Sequence, residues 1–348
     1  MPSGIDEEAD PFRLRQVDVE HPTPTGGGRV LQNMSALRGL FSCMGDDRRS
    51  TFDQFTRQQL GLITRTQALH AGVSSSTIDR RLSRGELERV APHVYRLRAG
   101  APESPEQKLL AACLSFGRGA VASHRSAAWL WRLDGFRDAP PPEVSVPHGC
   151  RLQVPGVTPH QRRQLAPEGY CKRAGVPVTT LHRTILDLES SLSENKLEIA
   201  LDSAARGHPE LFIELTEFLA PISTQWRNHG GRLDSLVALR VGGEPTGSAF
   251  ETRLLQMIRK AGIEPPTLQY PVFKELDHPF VHIDFAWVKR KIALFADGAS
   301  YHLARRRARL DASQRLHLTR LGWRPVVVLP RMLDDPSFIS SFAPLFKP

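Results

Sequence analysis

A short acidic strand pair near the C-terminus carries residue types able to hold a divalent cation. It runs His282-Ile283-Asp284-Phe285-Ala286-Trp287, then Val288-Lys289-Arg290-Lys291, then Ile292-Ala293-Leu294-Phe295-Ala296-Asp297-Gly298. Both apolar runs read as strands around a basic turn. Strand side chains alternate between faces. Ile283, Phe285 and Trp287 are then expected on one side, with His282 and Asp284 on the other. In the second strand Ile292, Leu294 and Ala296 face the core, and Ala293, Phe295 and Asp297 share the opposite side. Phosphodiester hydrolysis needs carboxylate oxygens converging on Mg²⁺, with a base for water and a cation for the phosphate. The candidate catalytic residues are Glu251, Asp284, Asp297 and His302, with Asp284 and Asp297 as the metal ligands and Lys291 as a further phosphate or base group. Phe295 stands in the middle of that face and cannot coordinate a metal. A carboxylate in its place would supply a third oxygen donor, so Phe295→Glu is expected to make the site more nuclease-like. The bland readings are that Asp284 ends a strand and that Asp297-Gly298 is a turn pair.

Arg305, Arg306, Arg307 and Arg309 lie on the following helix and would meet a nucleic-acid backbone, unless they are only a solvated face. Asp311 and Arg315 are four apart on that helix and would pair in support. A second polar set lies far upstream. Ser75, Ser76, Thr77, Arg80, Arg81 and Arg84 fall outside the apolar face made by Ile78 and Leu82. On a recognition helix such residues reach base edges and phosphates of duplex DNA. Ser123, His124 and Asp187 have the residue types of a hydrolase triad, but nothing in their spacing orients them, and His124 reads as a buried packing residue.

The elements that must position these residues follow from patterning. Residues 52–98 read as helix, helix, helix, hairpin, with Phe52, Phe55, Leu60 and Leu62 as the first apolar face and Thr64 as N-cap of a helix over 65–71. Gly72-Val73 makes a tight turn, and Leu87–Val90 and Val94–Leu97 make two short strands around Ala91-Pro92-His93. This is the outline of a helix-turn-helix with a wing. Residues 99–241 form a mixed, largely helical middle. The Gly/Pro-rich run 242–247 reads as a linker. Residues 248–348 begin with a helix capped by Ser248 with Glu251 three residues on, a capping-box spacing. The strand pair follows, then an Arg-rich helix over about 303–320, then a strand over 324–329. Residues 1–50 lack lasting periodicity and read as a disordered tail. The fold class is a multidomain α/β arrangement: a winged helix-turn-helix over 51–98, a mixed helical middle domain over 99–241, and an α/β domain over 248–348.

Charge follows the same division. The 348 residues carry a net +9. Residues 1–50 are net −2, 51–98 net +4, 99–244 neutral and 245–348 net +7. Two basic blocks around a neutral middle suit two modules that face nucleic acid. The four cysteines, Cys43, Cys113, Cys150 and Cys171, show no paired spacing, which argues against a cysteine zinc site and a secreted disulfide framework. No apolar run approaches a membrane span, and the acidic N-terminus does not resemble a signal peptide. A soluble, cytoplasmic protein with no membrane association is expected.

Two resemblances sharpen these expectations. Ile63-Thr64-Arg65-x-Gln67-Ala68, Gly72-Val73-Ser74, Ile78-x-x-Arg81-Leu82-x-x-Gly85 and Arg89-Val90…Val94-Tyr95 resemble the AbiEi-type antitoxin family of bacterial type IV toxin–antitoxin systems. The likeness continues through Ser123-His124-x-Ser126-Ala127-Ala128 and Arg183-Thr184-x-Leu186-Asp187-Leu188 and covers roughly residues 52–205. It implies an autoregulatory winged-helix DNA-binding domain and a toxin protein partner. The family commonly has glycine before the Val-Tyr of the wing, where this chain has His93. The last hundred residues resemble the PD-(D/E)XK restriction-endonuclease-like superfamily, in the branch of very-short-patch-repair (Vsr) endonucleases. The carrying residues are Glu251-x-Arg253, Gln269, Ile283-Asp284-Phe285-Ala286-Trp287, Asp297-Gly298, Tyr301-His302, Asp311-x-x-x-Arg315 and Leu321-Gly322-Trp323-Arg324. The family pattern on the second strand is Glu-x-Asp-Gly, and Phe295 replaces its Glu. The resemblance therefore implies a degenerate nuclease fold on a DNA-binding regulator. The alternative is a Mg²⁺-dependent endonuclease using Asp284, Asp297 and Glu251, with Mg²⁺ needed only in that case.

Overall fold

The computed structural model describes residues 46–98, 102–162, 169–225, 231–240, 243–273, 279–297, 304–335 and 337–346. Helix α1 spans Asp46–Gln58, so regular structure starts before Phe52. Its first residues, Asp46-Asp47-Arg48-Arg49-Ser50, carry no apolar periodicity to signal a helix. The rest of the expected tail lies outside the described residues.

Leu62 does not extend the apolar face of α1. Leu60 and Gly61 both have positive φ, +54 and +80, which turns the chain. Leu62 then begins strand β1, Leu62–Thr64. Thr64 caps helix α2, Arg65–His70, with a reciprocal box to Gln67. Helix α3, Ser75–Ser83, follows Gly72 and is capped by Ser74. Strands β2, Leu87–Ala91, and β3, Val94–Leu97, make a hairpin. The central strand β3 pairs antiparallel with both β1 and β2. His93 sits in the hairpin turn at φ +59, a backbone state that favours glycine.

The middle region opens with helix α4, Pro105–Phe116, capped by Ser104 with proline at its first position. Strands β4 (Val121–Ala122), β5 (Glu143–Pro147), β6 (Thr158–Arg162), β7 (Tyr170–Arg173) and β8 (Val176–Thr179) form one sheet in the order β6-β5-β4-β8-β7. Helix α5, His124–Leu130, follows β4 directly. Helices α6 (Leu181–Glu189), α7 (Glu194–Gly207), α8 (Leu211–Gln225) and α9 (Gly231–Ala238) pack around Leu188, Leu197, Leu201, Leu211 and Leu233. The first module does not bury its apolar surface alone. Leu62 and Val94 share a core with Leu109, Leu110, Val144 and Val176, and Gln107 Nε2 donates to the Leu60 carbonyl at 2.6 Å.

The last region runs helix, three antiparallel strands, helix, strand. Helix α10 is Ala249–Lys260, strands β9, β10 and β11 are Thr267–Phe273, Pro279–Trp287 and Ile292–Ala296, helix α11 is Ala304–Arg320, and β12 is Arg324–Val328. The sheet order is β12-β11-β10-β9, with β11 and β12 parallel. Phe285, Trp287, Ile292 and Leu294 pack with Leu254 and Ile258 of α10. Ile283 instead joins Val272, Val281, Ala293, Leu318 and Trp323. The expected sharing of one face by Ile283, Phe285 and Trp287 therefore breaks at Asp284. Opposite it, Gln269 has φ +48, a local twist of the kind that re-aims side chains.

The run read as a linker is pinned in place. Thr246 is fully buried, and its Oγ1 donates to Asp202 Oδ2 at 3.0 Å. Arg240 is buried with Nε and Nη2 on Asp202 and Nη2 on Glu198 at 2.7 Å. Glu198 also receives Arg259 Nη2 of α10 at 2.6 Å. These bonds fasten α10 onto α7, and Gly45–Pro348 forms one compact unit.

Candidate nucleic-acid interface and acidic cluster

Helix α3 presents its polar side because its other side is locked. Ile78 is fully buried. The Ser74 side chain accepts from the Thr77 amide at 3.2 Å and fixes the first turn. Arg65, the first residue of α2, donates to Ser75 Oγ at 2.9 Å, Asp79 Oδ1 at 3.3 Å and Tyr95 Oη at 3.1 Å. One guanidinium thus ties α2, the start of α3 and the hairpin together. Ser75, Ser76, Arg80 and Arg84 are exposed and Thr77 is half-buried. Arg89 and Arg98, on and beside the hairpin, are exposed as well.

Arg81 departs from the expected polar face. It is 5% exposed, lies 5.8 Å from the Phe52 ring centroid and pairs with Glu86 at 3.8 Å. Its long side chain packs α3 onto α1, so it does not belong to the expected DNA-facing set.

In the last region, Glu251 and Asp284 come together. Glu251 is 7% exposed. Its Oε1 accepts from Ser248 Oγ at 2.9 Å, and its Oε2 from the Gly247 amide at 2.6 Å and from Gln269 Nε2 at 2.9 Å. The capping spacing is real, but the carboxylate reaches the Gly247 amide rather than that of Ser248. The chain approaches so closely that a Cβ at Gly247 would lie 2.9 Å from Oε1. Burial, followed by the nearby Asp284 charge, raises the Glu251 pKa. Asp284 Oδ2 accepts the Ala296 amide at 2.8 Å. The Asp284 carboxyl therefore replaces main-chain pairing where β10 leaves β11. Its pKa is also raised, first by burial.

Asp297 is exposed at the end of β11. The ligand atoms of Glu251, Asp284 and Asp297 are not gathered within 4.8 Å; among the described residues only His124, Glu143 and His160 meet that spacing. Phe295 is half-buried against the Ile283, Ala293, Leu318 and Trp323 group, whereas Glu251 rides on α10, which packs on the Phe285 and Trp287 group. A carboxylate at 295 would thus enter an apolar group, contrary to the expectation that it completes the site. His302 lies outside the described residues. Arg305, Arg306, Arg307, Arg309 and Asp311 lie on α11, but their side chains lie outside them too, so the expected Asp311–Arg315 pair is not described. Arg315 is exposed, and its carbonyl accepts the Thr319 hydroxyl at 2.9 Å.

The triad types do not assemble as a triad. Ser123 Oγ and His124 Nδ1 are 3.0 Å apart, but Asp187 is held by Arg162 and Arg183. Gln269 and Arg65 enter the sequence reading only as matched family residues and Gly247 only as part of a linker; their positioning roles come from the structure. The left-handed Gln269 and the close pass at Gly247 are invisible to pattern reading, whereas Arg65 stands at the first position of a capped helix.

Residues 52–98 match the family described as "Transcriptional regulator, AbiEi antitoxin". Among solved structures, the crystal structure of the RV2827C protein from Mycobacterium tuberculosis is similar at a TM-score of 0.31 and 16% identity, over 56% of this chain and 81% of that one. No curated protein matches the chain significantly. Among the described residues, no helix is long and apolar enough to cross a membrane.

Proposed function

We propose that the chain is a DNA-binding regulator of the antitoxin-like kind. In this reading α2 and α3 are the helix-turn-helix, β2 and β3 are the wing, and α3 enters the major groove of duplex DNA. The observation that carries it is the exposure of Ser76, Arg80 and Arg84 on a helix whose other side is locked by Ile78, Arg81 and Arg65. The family match over the same residues supports it. A toxin protein is the proposed second partner on the strength of that match. The test is a titration of labelled duplex DNA with the full chain at several salt concentrations. Affinity should fall linearly on a log–log plot with a slope set by the phosphates contacted; absence of duplex binding at low salt would overturn the reading.

The last region is proposed to be a non-catalytic Vsr-like domain of the restriction-endonuclease-like class, on the element order and the parallel β11–β12 pair. The endonuclease alternative draws support from the convergence of Glu251 and Asp284. The hydrogen bonding favours the non-catalytic reading. Glu251 Oε2 accepts two N–H donors and Oε1 one hydroxyl, Asp284 Oδ2 accepts the Ala296 amide, and Phe295 adds no oxygen. A hard cation would have to compete with these donors for the carboxylates.

A further inference from the structure

The sheet of the middle region gathers two histidines and a glutamate that the DNA-binding reading does not use. Glu143 begins β5, His160 lies in β6, and His124 begins α5 directly after β4. Strands β4, β5 and β6 are neighbours. The register sets Ser145 opposite His160, and Glu143 two residues before Ser145 shares its face. Ligand atoms of His124, Glu143 and His160 all lie within 4.8 Å of one another.

We propose that His124, Glu143 and His160 form a binding site for a divalent transition-metal ion of the zinc class. Two imidazoles and one carboxylate are the donor set such ions take with one position left open. Their geometry is close to what one ion requires. Glu143 Oε2 and His160 Nε2 are 3.1 Å apart. Two ligand atoms of one zinc ion, each at about 2.0–2.1 Å, lie roughly 2.9–3.4 Å apart. The His124 ring stacks on His160 with centroids 3.5 Å apart and 14° between planes. A stacked ring points its nitrogen past the shared position, so binding requires the His124 ring to rotate toward it.

Three observations support ligation over simple packing. His124 is 2% exposed yet has φ +50, a strained state for a non-glycine residue. Ser123 Oγ lies 3.0 Å from His124 Nδ1, and a hydroxyl can follow the ring as it turns and accept the Nδ1 proton, the usual outer contact of a ligating histidine. Ser145 Oγ, on the same face, is buried and bonds no described residue. It stands opposite His160 in the register, so its hydroxyl is free to serve a ligand or water at the site. The cationic Arg162 and Arg183 nearby are both engaged by Asp187, which offsets part of their charge.

The test uses the full chain, stripped with a chelator and titrated with zinc chloride by calorimetry and with Co²⁺ by visible absorption. One ion per chain is expected, with Co²⁺ showing the absorption of a low-coordinate nitrogen and oxygen site. His160→Ala and Glu143→Gln, at partly exposed positions, should each weaken binding about tenfold or more while leaving the fold intact by circular dichroism. His182→Ala, at the start of α6 and paired with Glu214, should bind as wild type. His124→Ala is the stronger variant; if it fails to fold, the other two decide. No stoichiometric binding of either ion, or undiminished binding in both His160→Ala and Glu143→Gln, would overturn the proposal.

Discussion

Gln269 Nε2 donates to Glu251 Oε2 at 2.9 Å from a backbone at φ +48. The twist in β9 and the buried carboxylate of α10 are thus one structural unit, close to the point where Asp284 separates β10 from β11. A cation entering there would have to compete with the Gly247 and Gln269 donors for Glu251 Oε2.

The acidic cluster gives a signed pH dependence. The Glu251 and Asp284 pKa values are raised above the ordinary 4.5 and 3.8. Between the unfolded and folded pKa values the native state binds more protons, so this contribution to stability falls as pH rises through that window. Removing one carboxyl should remove part of that fall. The stability of Glu251→Gln relative to wild type should therefore shift in the variant's favour as pH rises from about 4.5 toward 7. Urea unfolding of both proteins across that range checks it, and a shift the other way contradicts it.

Gly247→Ala should disturb the same cluster without touching a charge. A Cβ there meets both Glu251 oxygens at 2.9 and 3.0 Å. The expected destabilisation is about 1–3 kcal/mol, as for other overpacked sites. A melting temperature equal to that of wild type would show that the carboxylate moves aside freely.

Arg240 holds Asp202 and Glu198 with all three groups buried. Arg240→Ala leaves two buried carboxylates facing each other and should cost about 3–5 kcal/mol. Arg259→Ala, whose side chain is 38% exposed, removes one of several partners of Glu198 and should cost about 1 kcal/mol or less. Equal destabilisation of the two variants in denaturant melts would contradict the view that the Arg240 network fastens the last helix–sheet layer to the middle region.

Phe295→Glu should lower the melting temperature, because the new charge enters the apolar group around Leu318 and Trp323. Plasmid cleavage with Mg²⁺ should be absent in both wild type and variant. Mg²⁺-dependent cleavage by the wild type that Asp284→Ala abolishes would reverse this account of the domain.

Local chemistry was legible where it acts within a few residues. Thr64 and Ser248 cap the helices their spacing indicates, Ile78 is buried, and the β10–β11 pair flanks its basic turn. What stayed hidden depends on partners far along the chain or on backbone states that patterning does not encode. Arg81 sits on a polar stripe, yet Phe52 and Glu86 bury it. Leu62 continues an apolar pattern, yet the positive φ of Leu60 and Gly61 turns it into a strand. Strand β6, Thr158-Pro159-His160-Gln161-Arg162, has no apolar alternation and forms only beside β5. The approach of His160 to Glu143 was invisible for that reason.

The central claim rests on α3, and charge reversal on its exposed side tests it most directly. Wild type and Arg80→Glu/Arg84→Glu are compared for duplex DNA affinity at several salt concentrations, with circular dichroism confirming that both are folded. The account predicts weaker binding and a log–log salt slope shallower by about two, roughly one for each arginine withdrawn from a phosphate. Unchanged affinity and slope in the folded double variant would show that this helix does not face the DNA.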